Sequence, residues 1–119
     1  MDSKTTTVLV VDDNQDLAEN IAEILGMRGF AAAIATSAEE ALPRALADNP
    51  DLLVTDFRLP GMSGAELVRT LRERLRTLRA VVMSAYTDDS TVAAARSAGA
   101  EFIPKPVDLG ALSRFLSAA

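Results

Sequence analysis

The sequence predicts an α/β fold in which a single doubly wound sheet of five parallel strands, in the order 2-1-3-4-5, is covered by five helices. Short apolar runs alternate five times with segments of helical periodicity. Three of the runs, Val8–Val11, Leu52–Thr55 and Ala80–Met83, show no polar alternation, which is typical of strands buried on both faces. Parallel neighbours need a crossover connection, so regular strand–helix alternation favours a parallel sheet with helices on both faces.

The first strand, Val8–Val11, stops at the acidic pair Asp12 and Asp13. A helix is expected next, because apolar residues recur there at helical spacing. These residues are Leu17, Ile21, Ile24 and Leu25. Gly26 and Gly29 bracket the expected end of this helix.

A weaker strand is expected over residues 31–35, followed by a second helix. Ser37 and Glu40 have the S-x-x-E spacing of a capping box, which predicts that the helix begins after Ser37. Its apolar face consists of Ala38, Ala41, Leu42, Ala45 and Leu46. Pro43 lies inside this predicted helix, where proline normally costs about 3 kcal/mol or causes a kink. The sequence offers no compensation for it.

The third strand, Leu52–Thr55, again ends on an acid, Asp56. The capping-box spacing repeats at Ser63 and Glu66 and predicts a third helix. The buried stripe expected for that helix is Leu67, Val68, Leu71 and Leu75. The fourth strand, Ala80–Met83, ends at Ser84.

The last two units follow the same pattern. An alanine-rich helix is expected over Val92–Ala98, stopped by Gly99. A fifth strand, Glu101–Ile103, ends near Lys105, and a final helix follows the cap candidate Asp108. Its apolar residues are Leu109, Leu112, Phe115 and Leu116. The 119 residues are therefore expected to form one domain, 1–119, with a core over about 7–117.

Composition excludes several kinds of chemistry. The chain has no cysteine and no histidine, which removes disulfides, the usual zinc sites, thiol nucleophiles and Ser-His-Asp arrangements. A net charge of −5 argues against direct nucleic-acid binding by this domain. No run approaches the roughly 20 apolar residues of a membrane span, and the first residues lack an export signal. We therefore expect a cytoplasmic protein without membrane association.

Chemically active residues collect at the carboxyl ends of the predicted strands. Open α/β sheets bind ligands at that edge, so these residues should converge. They are Asp12, Asp13, Asp56, Ser84 and Lys105. Three carboxylates in one crevice repel each other unless a cation holds them, and a ligand set of oxygens alone suits Mg²⁺. Lys105 and the Ser84 hydroxyl would stabilise a phosphoryl group, and Asp56, which stands alone at its strand end, is the expected nucleophile.

The residues at the strand ends belong to four longer segments, which are VLVVDDNQD, LLVTDFRLPGMSG, VVMSAYTD and GAEFIPKPVD. Through these segments the chain closely resembles the response-regulator receiver family, which has a flavodoxin-like fold. The resemblance extends from Val8 to Leu116. The resemblance implies that Asp56 accepts a phosphoryl group from a histidine kinase or a His phosphotransfer protein, using Mg²⁺. It further implies that Asp13 and Asp56 ligate the ion directly, Asp12 mainly through water, and Arg58 through its backbone carbonyl.

The resemblance also implies a switch in which Ser84 moves toward the phosphoryl group and Phe102 turns into the vacated space. The surface formed by the fourth helix, fifth strand and fifth helix would change as a result. The Lys105–Pro106 bond resembles the cis peptide of the family. Arg58 and Tyr86, each two residues beyond a site residue, are expected to flank the phosphoryl group and to set how long it persists.

Such a domain is a regulatory phosphoacceptor, which catalyses phosphotransfer and dephosphorylation only on itself. It would act on a downstream output domain or protein, which the sequence does not identify. Two alternatives remain. A phosphatase of the haloacid-dehalogenase type would place its nucleophile after the first strand in a D-x-D arrangement, where position 14 here is Asn. A pseudo-receiver would lack Asp13, Asp56 or Lys105, and all three are present.

Overall fold

Five strands alternate with five helices in a computed structural model that describes residues 5–117; residues 1–4 and 118–119 of the expected domain lie outside the described residues. The strands are β1 (Thr7–Val11), β2 (Ala31–Ala35), β3 (Leu52–Asp56), β4 (Arg79–Ser84) and β5 (Glu101–Pro104). The helices are α1 (Gln15–Met27), α2 (Ala38–Asp48), α3 (Gly64–Arg72), α4 (Asp89–Ser97) and α5 (Leu109–Ser117).

The strands form one parallel sheet in the order β2-β1-β3-β4-β5, which confirms the predicted order. Side chains alternate between its faces, so each strand contributes to two cores. Leu9 and Leu53 belong to the core that also contains buried residues of α2, α3 and α4. Val10 and Val54 belong to the other core, which includes buried residues of α1 and α5. The uninterrupted apolar runs are explained by this burial on both faces.

The two predicted capping boxes differ in the structure. At α3 both halves form, because the Ser63 hydroxyl accepts from the Glu66 N–H and the Glu66 carboxylate accepts from the Ser63 N–H. At α2 the Ser37 hydroxyl accepts from the Glu40 N–H, but the Glu40 carboxylate accepts from the N–H of Thr36, one residue earlier than predicted. The S-x-x-E spacing therefore located the start of α2 but not the partner of its glutamate.

Pro43 lies within α2 without ending it. The side chain is exposed, while Ala41 and Ala45 on either side of it are buried. A proline at this position removes the hydrogen bond to the Glu39 carbonyl, but water can reach the outer face of the helix. Solvation of that face offsets part of the cost of the proline.

Two predicted boundaries were wrong. Leu75 was assigned to the third helix, but α3 ends at Arg72 and Leu75 packs against the core from the following segment. The fourth helix begins at Asp89, three residues before the predicted start at Val92, because Asp88 caps it. Its carboxylate accepts a hydrogen bond from the Thr91 N–H. Among residues 5–117, no helix has the length and apolar character needed to cross a membrane.

Candidate functional site

Three aspartates meet where β1 and β3 end. The two strands are hydrogen-bonded neighbours with Val11 opposite Thr55, so the residues that follow, Asp12 and Asp56, emerge side by side. Carboxylate oxygens of Asp12, Asp13 and Asp56 all lie within 4.8 Å of one another. Asp12 and Asp56 are buried and Asp13 is exposed, so the group is accessible from one side.

Lys105 joins the two buried carboxylates. Its ammonium lies 2.9 Å from an oxygen of Asp12 and 3.1 Å from an oxygen of Asp56. Its backbone N–H also donates to the carbonyl of Ser84, at 2.8 Å, so the end of β5 is fixed to the end of β4. The Lys105–Pro106 peptide is cis. The structure therefore brings Lys105 to the acidic cluster, although 93 residues separate it from Asp12.

The charges at this edge are only partly balanced. Burial raises the pKa of Asp56 above 3.8, and the negative charge of Asp12 adds to the effect, while Lys105 opposes it. Burial alone would lower the pKa of Lys105, but its hydrogen bond to Asp12 and the charge of Asp56 outweigh burial and raise that pKa above 10.5. Lys105 therefore remains an ammonium, and the charged form of Asp56 is disfavoured.

The carboxylate of Asp12 is held at both oxygens. One accepts from the Asn14 N–H at 2.9 Å and the other accepts from Lys105. Asn14 also caps α1, since its side-chain oxygen accepts from the Leu17 N–H. The orientation of Asp12 is thus coupled to the start of α1. Asp13, by contrast, accepts no hydrogen bond from another residue in the range 5–117.

Sequence reasoning missed two residues that position Asp56. Gly64 begins α3, and a Cβ at this position would overlap the carbonyl oxygen of Asp56. The Thr55 hydroxyl donates to the same carbonyl at 3.0 Å. A polar residue closing the run Leu52–Thr55 was the available signal for Thr55, whereas the only signal for Gly64 was a glycine directly after the cap candidate Ser63.

Ser84 and Tyr86, separated by Ala85, lie at the end of β4, the strand next to β3. Ser84 is buried at the end of β4, and its hydroxyl accepts from the Tyr86 N–H at 2.9 Å. Tyr86 is 51% exposed, and the Arg58 guanidinium lies over its ring, 4.1 Å from the ring centroid. This stacking, which we call the Arg58–Tyr86 stack, joins the loops that follow β3 and β4.

Phe102 lies outside the acidic cluster. It is half-buried on β5, opposite Val82 in the register, whereas Ser84 pairs with Pro104. Its ring packs against the core on the side of α2, α3 and α4. Phe102 and Ser84 are thus on neighbouring strands, two register positions apart.

The family model described as the response regulator receiver domain matches residues 8–117. Among curated proteins, a response regulator receiver protein of Anaeromyxobacter sp. (strain Fw109-5) is 47% identical over 100 residues. That alignment covers 83% of this chain but 42% of the relative, so the chain spans less than half of the relative's length.

Solved structures of other proteins are similar over nearly the whole chain, and two of them illustrate this. A CheY-like response regulator receiver domain protein from Methanospirillum hungatei has a TM-score of 0.90 and 25% identity, over 95% of this chain and 91% of the other. A response regulator protein from Burkholderia pseudomallei has a TM-score of 0.87 and 29% identity, over 95% and 67%. The latter crystal contains a phosphorylated aspartic acid, a calcium ion and citrate.

Proposed function

The chain belongs to the response regulator receiver family, and we propose that Asp56 is its phosphoacceptor, taking a phosphoryl group from a histidine kinase or a His phosphotransfer protein. The single observation that carries this proposal is the cluster of Asp12, Asp13 and Asp56 with the Lys105 ammonium between the two buried acids. The similar Burkholderia protein, which carries a phosphorylated aspartic acid and a calcium ion, supports it.

The donor set fits Mg²⁺. Three carboxylate groups with mutually close oxygens supply the hard ligands that this ion prefers. Burial, and after it the negative charge of Asp12, raise the pKa of Asp56 despite Lys105, so a bound cation would favour the ionised carboxylate. We propose that Asp13 and Asp56 ligate the ion directly, the Arg58 carbonyl completes the protein ligands, and Asp12 acts mainly through water. When bound, the ion would neutralise charge on the phosphoryl oxygens.

Asp56, Lys105 and Ser84 would each have one role in the transfer of the phosphoryl group. A carboxylate oxygen of Asp56 forms a P–O bond as the P–N bond to the donor histidine breaks, and the electron pair of that bond returns to the imidazole nitrogen. Lys105 would stabilise the charge of the transferred phosphoryl group. The Ser84 hydroxyl, which accepts from the Tyr86 N–H, keeps its own proton to donate to a phosphoryl oxygen.

The same contacts would support a switch. Drawing Ser84 toward the phosphoryl group opens space at the end of β4, and Phe102, half-buried on the adjacent strand, would turn into it. The surface of α4, β5 and α5 would change as a result. Nearly complete switching from a mostly inactive population needs about 5.5 kcal/mol of differential interaction.

Arg58 and Tyr86 are proposed to set the lifetime of the phosphorylated state. The Arg58–Tyr86 stack joins side chains that lie two positions beyond Asp56 and Ser84 in the sequence, and we propose that it lies on the path of the attacking water. A large ring and a guanidinium at this position would restrict that water. The chain would then act as a regulatory phosphoacceptor, catalysing only its own phosphorylation and dephosphorylation.

The surroundings of the acidic cluster also bear on the partners that the chain would bind. A pocket of about 240 Å³ lies beside Lys105, between Leu17 and Ile21 of α1 and the segment 105–109. Its position next to the acidic cluster suits the docking of a phosphorylated histidine donor. The greater length of the Anaeromyxobacter relative is consistent with a downstream output domain or protein. We propose no direct contact with nucleic acid or membrane, and a cytoplasmic location.

Acetyl phosphate with Mg²⁺, followed by intact-mass measurement, tests the phosphoacceptor. The parent chain is expected to gain one phosphoryl group and Asp56→Ala none. Asp48→Ala serves as the matched control. Asp48 is exposed on α2, and within residues 5–117 its carboxylate forms an ion pair only with Arg44. It should gain the adduct as the parent does. An adduct retained by Asp56→Ala would place the acceptor elsewhere.

A further inference from the structure

We propose that the Arg58–Tyr86 stack is a latch that holds Ser84 in its resting position, so that this pair sets how readily the chain adopts its phosphorylated conformation. The inference rests on the proposed function of Asp56. It concerns the energy of the resting state, not the phosphoryl chemistry.

The Arg58 side of the stack is firmly anchored. Its backbone forms a bridge with Ser63, which caps α3 in a complete capping box. The loop is further closed by the Gly64 N–H, which donates to the Phe57 carbonyl at 2.7 Å. The 57–63 loop is therefore tied to a helix on one side and to β3 on the other. A movement of Tyr86 relative to this loop must break the stack.

The Tyr86 side is connected directly to the switch hydroxyl. The Tyr86 N–H donates to Ser84 Oγ at 2.9 Å, and only Ala85 lies between the two residues. A displacement of Ser84 toward Asp56 either breaks this hydrogen bond or carries the Tyr86 backbone with it. In the second case the ring is withdrawn from under the guanidinium, and the lost stacking energy opposes the switch.

The size of the effect follows from the exposure of the pair. Arg58 is exposed and the Tyr86 ring is half-exposed, so the stack belongs with solvated cation–π contacts rather than desolvated ones. Losing such a contact shifts a two-state equilibrium by about 2- to 5-fold. The latch thus favours the resting conformation only slightly, and the interactions of the phosphoryl group remain the larger influence on the conformational equilibrium.

The test is a double-mutant cycle on the affinity for beryllofluoride with Mg²⁺, a non-covalent mimic of the phosphoryl group, measured by titration calorimetry. Tyr86→Leu and Arg58→Gln should each tighten binding by about 2- to 5-fold, because each removes the same resting contact. The double variant should gain no more than either single one. Arg44→Gln removes the exposed Arg44–Asp48 ion pair on α2, outside the surface of α4, β5 and α5, and should leave the affinity unchanged.

Intrinsic fluorescence gives a second readout. Tyr86 is the single tyrosine of a chain without tryptophan, so all tyrosine emission reports this ring. Beryllofluoride should change the emission of the parent, and Arg58→Gln should reproduce part of that change without the ligand.

The outcomes separate the latch from the phosphoacceptor assignment. Three results would overturn the latch while Asp56 remains the acceptor. The parent, both single variants and the double variant could bind beryllofluoride equally well, the gains in affinity of the two single variants could add up in the double variant, or the single variants could bind more weakly than the parent. If the parent does not bind beryllofluoride, and acetyl phosphate leaves Asp56 unmodified, the proposed function and the latch fall together.

Discussion

Gly64 packs directly on the backbone of Asp56, so closely that any side chain at position 64 would meet the Asp56 carbonyl oxygen. The first residue of α3 is thereby coupled to the proposed phosphoacceptor. We expect Gly64→Ala to destabilise the chain by about 1–3 kcal/mol, as overpacked sites usually do. It should also slow phosphorylation by acetyl phosphate, because the loop after Asp56 must shift. Urea unfolding and intact-mass kinetics measure the two effects.

Gly26 provides the matched control for that substitution. It lies near the end of α1, and a Cβ there would meet nothing within 4 Å. Gly26→Ala should be neutral or stabilise the chain by up to about 1 kcal/mol, since alanine loses less entropy in a helix. Equal effects at both positions would argue against a close approach at Gly64.

Asp56 should make stability depend on pH and on Mg²⁺. Its pKa is raised in the folded chain, so folding is favoured while the group is protonated, and that contribution is lost as the pH rises from 3.8 through the folded pKa. Asp56→Asn should therefore be more stable than the parent at pH 7 without divalent cations. The difference should shrink as the pH falls toward 3.8, which urea unfolding at several pH values measures.

Magnesium should make the parent chain more stable than Asp56→Asn at pH 7. Free Mg²⁺ at 100 times its dissociation constant stabilises a chain that binds it only when folded by about 2.7 kcal/mol. The parent should gain that amount and Asp56→Asn distinctly less. Equal stabilisation of both chains would show that Asp56 is not a ligand.

Asp88, the cap of α4, should titrate at an unusually low pH. The Ser90 hydroxyl, followed by the Thr91 hydroxyl and N–H, donates to its carboxylate and lowers the pKa of Asp88 to about 2. This stabilisation is complete above the ordinary value of 3.8 and is lost as the pH falls through about 2. NMR titration of the carboxyl carbon measures it. Ser90→Ala should move the midpoint back toward 3.8, whereas Ser97→Ala, at the far end of α4, should not.

Pro43 should be a site where stability is easily gained. Alanine would restore an N–H able to donate to the Glu39 carbonyl, and it suits a helix interior better by about 3 kcal/mol. Part of this is offset, because proline also restricts the unfolded chain by about 0.4–1 kcal/mol. We expect Pro43→Ala to raise the free energy of unfolding by about 2 kcal/mol. Pro60→Ala, in an exposed turn, should change it by less than about 1 kcal/mol.

Tyr86 should prolong the phosphorylated state. Tyr86→Ala removes the ring that stacks under Arg58 and should hasten dephosphorylation. Intact-mass measurements after removal of acetyl phosphate give the rate. Tyr86→Phe keeps the ring and should decay as the parent does. A lifetime unaltered in Tyr86→Ala would remove Tyr86 from control of hydrolysis.

Most of the fold was readable from local patterns. Strand positions, their order along the chain and the starts of α2, α3 and α5 followed from apolar runs and capping residues, because those signals act over a few neighbouring residues. The start of α4 was missed because its cap, Asp88, precedes an alanine-rich segment of weak periodicity. Leu75 was misassigned because a residue packing from a loop can continue helical spacing by coincidence.

The sequence by itself determined that acidic residues follow the first and third strands. It therefore also determined that these acids would lie at the carboxyl edge of the parallel sheet. Only the tertiary structure decided how those residues meet: Lys105 between Asp12 and Asp56, Gly64 against Asp56, and Arg58 over Tyr86. The physical reason is range. Burial and capping depend on neighbours within a few residues, whereas an ion pair spanning 93 residues exists only once the sheet has brought its strand ends together.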